Sequence, residues 1–352
     1  MGLMIKFVGG IESTTGSCTW LKYNQTETEF LVDCGIFQDQ NNIFLDNNTK
    51  KFPFKPDRIK FVLLTHAHLD HCGLIPRLYD EGFVGSVICT RATAEITQKI
   101  LLDASKIDAP YNTKSISKVR FYCIDDKLNF KWGIFSPIDK DIYICFFRSS
   151  HILGSVSISI NAGKSKNNKI IHFSGDIGNN TSENSYQSLL KKRHTPRENI
   201  DLIILESTYG NRCRESSYSS FENRINFLEK VIEKTIYNKR GKLIIPAFSL
   251  HRSQDILFDI YYILKYKWNG RNKYHFNLTK DQLISGISKK LFEAWILNNN
   301  NIDQKIKEYL ENCLIPVASK ISSKNFPKII NMFTLTGDKE IVLSSYKADG
   351  QK

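Results

Sequence analysis

The chain has no run of eighteen or so apolar residues, and its start, MGLMIKFVGG, lacks a basic stretch followed by a long apolar one. These absences argue against a membrane-spanning helix and against a secretory signal, so no membrane partner and a cytoplasmic location are expected. Paired cysteines are missing too. The eight cysteines (Cys18, Cys34, Cys72, Cys89, Cys123, Cys145, Cys213, Cys313) are scattered with no CxxC spacing, most of them inside apolar runs such as Val87-Ile88-Cys89. They read as small buried hydrophobes in a reducing compartment. No internal repeat is visible. Histidine is scarce, at eight residues in 352, so any clustering of it is informative.

What is present describes a globular chain: 41% apolar and 24% charged residues, with a mean hydropathy of -0.31. Its length fits two domains, each able to bury a core without a metal to hold it together. The formal net charge of +13 is uneven: 25 Lys+Arg face 22 Asp+Glu through Tyr209, whereas 24 face 14 from Gly210 onward. A basic second part suits a polyphosphate backbone, although a Lys- and Asn-rich solvated surface would give the same count.

Short β-type runs alternate with turn residues at Met4 to Val8, Thr19 to Tyr23, Glu29 to Val32 and Phe61 to Thr65, a spacing that predicts a meander. Helical spacing follows at Leu74 to Tyr79 and Ala92 to Ala104, the latter after a strand at Ser86 to Cys89. Further strands are predicted at Ile142 to Phe147, Val156 to Ile160, Lys169 to Phe173 and Leu202 to Leu205, which makes layered α/β packing the expectation. Beyond Tyr209 the pattern becomes a helix at Tyr218 to Tyr237, a strand at Lys242 to Ile245 and a helix from about Ser253. A helix at Ser288 to Leu297 and a strand at Glu340 to Ser344 complete a second α/β unit.

Directly after an apolar strand, Thr65-His66-Ala-His68-Leu-Asp70-His71 gathers three histidines and a carboxylate within six residues. Neutral imidazole and carboxylate suit zinc, and a loop leaving the carboxyl end of a buried strand aims several side chains at one point. A shuffled chain with this histidine content would show the pattern on the order of once in several thousand trials, so chance surface histidines are a poor account. His66, His68, Asp70 and His71 resemble the HxHxDH signature of metallo-β-lactamase-fold hydrolases. Leu31-Val-Asp33-Cys-Gly35 resembles the first motif of that family, whose Asp supports the ligand loop from behind. His151 in Ser150-His151-Ile-Leu-Gly154 and Asp176 in Gly175-Asp176-Ile-Gly178 resemble two later ligand motifs. The resemblance implies one zinc on His66, His68 and His151, and a second on Asp70, His71 and a bridging Asp176. His172 and His194 match no motif and are read as structural, and Cys72 as a packing residue.

Leu205-Glu206-Ser-Thr-Tyr209-Gly210-Asn-Arg212 and the stretch from Gly241 through Pro246, Phe248, Arg252 and Gln254 resemble the β-CASP branch of that family, which usually acts on RNA. The expected fold is therefore α/β: a metallo-β-lactamase αββα sandwich over 1–207, incomplete at its C-terminus, with an inserted α/β β-CASP domain over 208–352. The implied function is zinc-dependent hydrolysis of RNA phosphodiesters, with Asp70 and Glu206 in catalytic roles and single-stranded RNA as partner. Ser249 and Arg252, at a helix start, are expected to bind phosphate, the alternative being a helix cap and a solvated Arg. In Tyr209 the sequence allows either a base-stacking ring or a buried turn residue. Relatives of this branch continue past the position equivalent to Lys352 and supply further histidines there. Three consequences are expected: a weakly held second zinc, His251 as the one candidate replacement acid, and a homodimer or partner chain completing the fold. The alternative function is an RNA-binding remnant of weak or no activity, with a DNA-repair nuclease or small-molecule hydrolase further behind.

Overall fold

The β-type runs form the strands Leu3–Gly9 (β1), Cys18–Tyr23 (β2) and Thr28–Val32 (β3), which pair antiparallel, with β1 at the exposed edge and β2 and β3 largely buried. In the computed structural model, residues 2–38, 45–107, 109–163, 168–178, 196, 199–212, 220–238, 243–247, 251–267, 333–335 and 339–345 of the protein are described. The meander predicted for the first strands ends at β3. Ile59–Leu63 (β4) lies parallel to it, because the long connection 33–58 crosses over instead of turning back. Ser86–Cys89 (β5) and Phe121–Cys123 (β6) extend the same parallel run, giving a six-stranded sheet in the order β1 to β6.

A second sheet runs in the order β11-β10-β9-β8-β7. Its strands are Ser136–Asp139 (β7), Ile142–Arg148 (β8), Val156–Ala162 (β9), Lys169–Phe173 (β10) and Leu202–Ile204 (β11). The period-two pattern sorts the side chains. Phe30, Val32, Phe61 and Leu63 of the first sheet meet Ile144, Phe146, Ile158, Ile160 and Ile171 of the second in one core between the sheets. Leu31, Val62 and Val87 point the other way, into a second core.

That second core is closed by helices Leu69–Cys72 (α1), Ile75–Asp80 (α2), Arg91–Ala104 (α3) and Thr113–Ser117 (α4), through Leu74, Leu78, Ala94, Leu101 and Ile116. Thr90 caps α3 by accepting from the Thr93 N–H at 3.2 Å. The predicted Cys72 packing role holds: its side chain is fully buried and its Sγ donates to the Ala67 carbonyl.

The chain divides into two compact units; the first takes in the described residues through Arg212 and the second those from Ser220 onward. In the second unit, Phe221–Ile232 (α5) is capped by Ser220, and Arg224 on it forms an ion pair with buried Asp259 on Arg252–Tyr262 (α6). Leu243–Ala247 (β12) runs parallel to Lys339–Ser345 (β14), which also pairs with Phe333–Leu335 (β13). The helix expected at 288–297, Ser249, His194, Cys213 and Cys313 lie outside the described residues. Among the described residues no helix is long and apolar enough to cross a membrane.

Candidate metal centre

The predicted ligands leave the carboxyl ends of different strands: His66, His68, Asp70 and His71 follow β4, His151 follows β8, and Asp176 follows β10. His66, His68, His151 and Asp176 each offer one atom to a set in which all four atoms lie within 4.8 Å of one another. His68 Nδ1 is 3.1 Å from His66 Nε2 and 3.0 Å from His151 Nε2. A tetrahedron with metal–nitrogen bonds of about 2.0–2.1 Å has edges of about 3.3 Å, so these three nitrogens already sit close to the spacing zinc requires. Asp176 Oδ2 is 3.7 Å from His66 Nε2 and 3.3 Å from His151 Nε2, while its Oδ1 is 3.3 Å from His71 Nε2. Asp70 Oδ2 stands 3.7 Å from that same His71 nitrogen. The carboxylate of Asp176 therefore turns one oxygen to the three-histidine set and the other to the Asp70–His71 pair.

The electrostatics fit a cation. Burial, with His71, His68 and His151 beside it, pushes the His66 imidazole well below its usual pKa, and burial with His151 brings His68 down to about 4. Both keep a free lone pair. Burial also lifts the Asp70 carboxyl. It opposes charge on His71, but the carboxylates of Asp33, Asp70 and Asp176 outweigh it and hold that imidazole well above the usual value. Asp176 is likewise drawn down against its burial by the hydrogen bond and charge of His71. Imidazoles and carboxylates at these spacings are a donor set for zinc-like ions.

Asp33 lies beneath the loop. Its Oδ1 accepts from the Thr65 N–H at 2.8 Å, and its Oδ2 lies 2.7 Å from His71 Nδ1, which turns the opposite nitrogen toward Asp176. Thr65 was not singled out in the sequence, yet its hydroxyl is within 3.0 Å of both Asp33 oxygens and 3.1 Å from His66 Nδ1. Also unanticipated are Ser17, whose hydroxyl donates to Asp33, and Ser155, whose hydroxyl accepts from the His151 and Ile152 N–H groups. Thr90 and Thr93 on α3 place their hydroxyls 2.9 and 3.0 Å from the Gly154 carbonyl, clamping the His151 loop. The signal for Thr65 and Ser155 was present as hydroxyls flanking ligand motifs; Ser17, Thr90 and Thr93 reach the site only through the tertiary fold.

Glu206 holds the Asp176 loop: its Oε1 accepts from the Ile177 N–H at 2.5 Å, and its own N–H donates to Ser174 Oγ. Tyr209 is exposed, with the Arg212 guanidinium 5.7 Å from its ring, so the buried-turn reading does not hold. Arg252 begins α6 with its guanidinium 3.2 Å from the carboxylate of Asp255. His251 is buried, and burial pushes it down to about 3, a poor setting for the replacement acid considered from the sequence. His172 is buried beside Ser159 Oγ at 2.9 Å, a structural histidine as expected.

Two faced sheets with convergent His and Asp donors on the loops after their strands are the arrangement of metallo-β-lactamase domains, and residues 14–135 match the metallo-beta-lactamase superfamily. The chain is 29% identical over 267 residues to "Transcription termination factor FttA" of Methanocaldococcus jannaschii, covering 72% of this chain and 38% of that protein. It is 33% identical over 264 residues to the protein of the same name from Methanococcus maripaludis, covering 71% and 38%. It is 30% identical over 233 residues to "Ribonuclease TTHA0252" of Thermus thermophilus, covering 66% and 49%. Residues 14–135 form a metallo-β-lactamase domain, and the chain is similar to these relatives over 66–72% of its length. It spans less than half the length of each of the three.

Proposed function

We propose that the protein is a zinc-dependent phosphodiesterase acting on single-stranded RNA in the cytoplasm. The observation that carries this reading is the convergence of His66, His68, His151 and Asp176 from three separate loops within 4.8 Å. His66, His68 and His151 would hold one ion, and Asp70, His71 and Asp176 a second. Bound zinc would supply Lewis acidity toward the phosphoryl oxygens and a water acidic enough to attack at neutral pH. Asp70 is assigned the role of orienting the attacking water through its carboxylate, and the contacts of Asp33 and Thr65 with His71 and His66 support the orientation those imidazoles would need to hold metal. Glu206 is assigned a part at the leaving oxygen, beside its observed hold on Ile177. In the second unit, Arg252 at the head of α6 and Ser249, three residues before it in sequence, are proposed phosphate contacts. The names of the relatives, a ribonuclease and termination factors, support RNA over a small molecule.

The test pairs metal content with turnover. Purified full chain should retain zinc through dialysis and cleave end-labelled single-stranded RNA. His66→Ala with His68→Ala should remove the zinc, and Asp70→Ala should abolish cleavage. A chain that holds no zinc, or cleavage indifferent to Asp70→Ala, overturns the proposal; zinc and RNA both bound without cleavage supports the non-catalytic RNA-binding alternative instead.

A further inference from the structure

The strand β8 ends at Arg148, three residues before His151, so the two backbones are no more than about 11 Å apart. The Arg148 guanidinium lies 5.0 Å from the centroid of the Trp132 ring. Phe130 meets that indole edge-on at 5.3 Å and packs in turn on core Phe146 at 6.4 Å. Trp132 is thus anchored to the core between the sheets, yet 39% of it is exposed. Leu128, Ile134 and Phe135 of the same segment also face solvent, more apolar surface than a solvated loop requires.

Positive charge accompanies it. Lys131 immediately precedes Trp132 in the chain, and the Lys127 ammonium sits 4.4 Å over exposed Tyr122. The nearby carboxylates are engaged elsewhere: Asp125 and Asp126 accept from Arg91, and Asp139 pairs with Lys60. Anchored aromatic faces interleaved with lysine ammonium groups suit unpaired nucleobases and their phosphates, because every base offers a π-face and every linkage a charge.

We propose that Trp132, backed by Arg148, is a stacking platform for an unpaired base of the RNA strand whose phosphodiester reaches the metal centre, with Lys127 and Lys131 meeting the adjoining phosphates. This rests on the ribonuclease reading. The test is fluorescence anisotropy of labelled oligouridylate and oligoadenylate on the full chain in EDTA, where binding is measured without cleavage, over a range of salt. Trp132→Ala should weaken both by about 5- to 100-fold without changing the slope of log affinity against log salt, and Trp132→Phe should keep most of the affinity. Lys131→Ala should reduce that slope by about 0.7. Zinc content, measured separately, should be unchanged in all three variants. Equal affinities for wild type and Trp132→Ala overturn the platform alone, as does a Trp132→Phe loss as large as that of Trp132→Ala, which marks a packing role. A wild-type chain that holds zinc but binds neither oligonucleotide overturns the RNA reading and the platform together. A protein captured on this face, with RNA affinity insensitive to Trp132, assigns the patch to that protein and overturns the platform.

Discussion

At the scale of the residue, Asp33 joins three parts of the centre: Ser17 of the first hairpin, Thr65 ahead of the ligand loop, and His71 within it. Its backbone takes a left-handed φ of +58°, which aspartate tolerates better than most residues. Asp33→Ala should lower zinc affinity by about 10- to 100-fold, read by competition with a chromophoric chelator. Asp33→Asn, which keeps an acceptor for the Thr65 N–H, should fall between the two. His172 gives a different test, because its pKa falls from 6.5 to about 4 through burial alone. The unfolded chain binds that proton more readily than the folded one, so its contribution is present above about pH 6.5 and is lost as pH falls toward 4. In urea titrations across that window, His172→Gln should show a shallower loss of stability with acid than wild type.

At the scale of the element, two glycines fix how the loops lie together. A Cβ on Gly35 would stand 1.6 Å from the Asp70 carbonyl oxygen, and one on Gly178 would stand 1.6 Å from that of Ser150. Both contacts are with backbone that carries a ligand, so Gly35→Ala and Gly178→Ala should displace the loops and abolish zinc retention, checked by metal analysis of whatever soluble protein is recovered. The clamp from α3 is milder. Thr90→Ala removes the cap on α3 and the bond to Gly154, and should cost about 1–2 kcal/mol in urea unfolding, with Thr90→Ser close to wild type. The sequence showed the candidate ligands because four of them fall in one short motif, and it showed most strands because apolar β-type runs alternate with turn residues. It did not show that β3 and β4 run parallel, since alternation carries no strand direction. Nor did it show β6, β7 and β13, which have only three or four residues and are specified by pairing with a neighbour more than by their own pattern. The supporting hydroxyls of Ser17, Thr90 and Thr93 were silent for a related reason: a Ser or Thr is ordinary until the fold brings a partner to it.

At the scale of the whole molecule, the net charge of +13, most of it after Gly210, sets how the protein meets a polyanion. Affinity for single-stranded RNA should fall steeply between low and high salt as counterions compete. Arg252→Glu should weaken binding more than Lys22→Glu, because Arg252 lies in the part of the chain that carries most of the net positive charge and Lys22 does not; binding insensitive to salt would contradict a phosphate-tracking second unit. The six described cysteines form no disulfide, and burial lifts the thiols of Cys34, Cys72 and Cys89 well above their usual pKa. Little thiolate is therefore available for oxidation at those three positions, and mass spectrometry after a mild oxidant should find them unmodified.

The backbone bonds beneath the centre bear on the order of events. Ser17 N–H donates to the Asp70 carbonyl, Cys34 N–H to that of His71, and Asp33 N–H to that of Leu63. These contacts tie the loop after β3 and the residue before β2 to β4 and to α1, and none of them involves a ligand side chain. Capturing zinc would then require little reorganisation, and a chelator should strip it from a first unit that keeps its circular dichroism and its cooperative melting. The centre would be a socket that the fold completes first and fills afterwards, so that metal supply could set activity from moment to moment without sending the chain through an unfolded state.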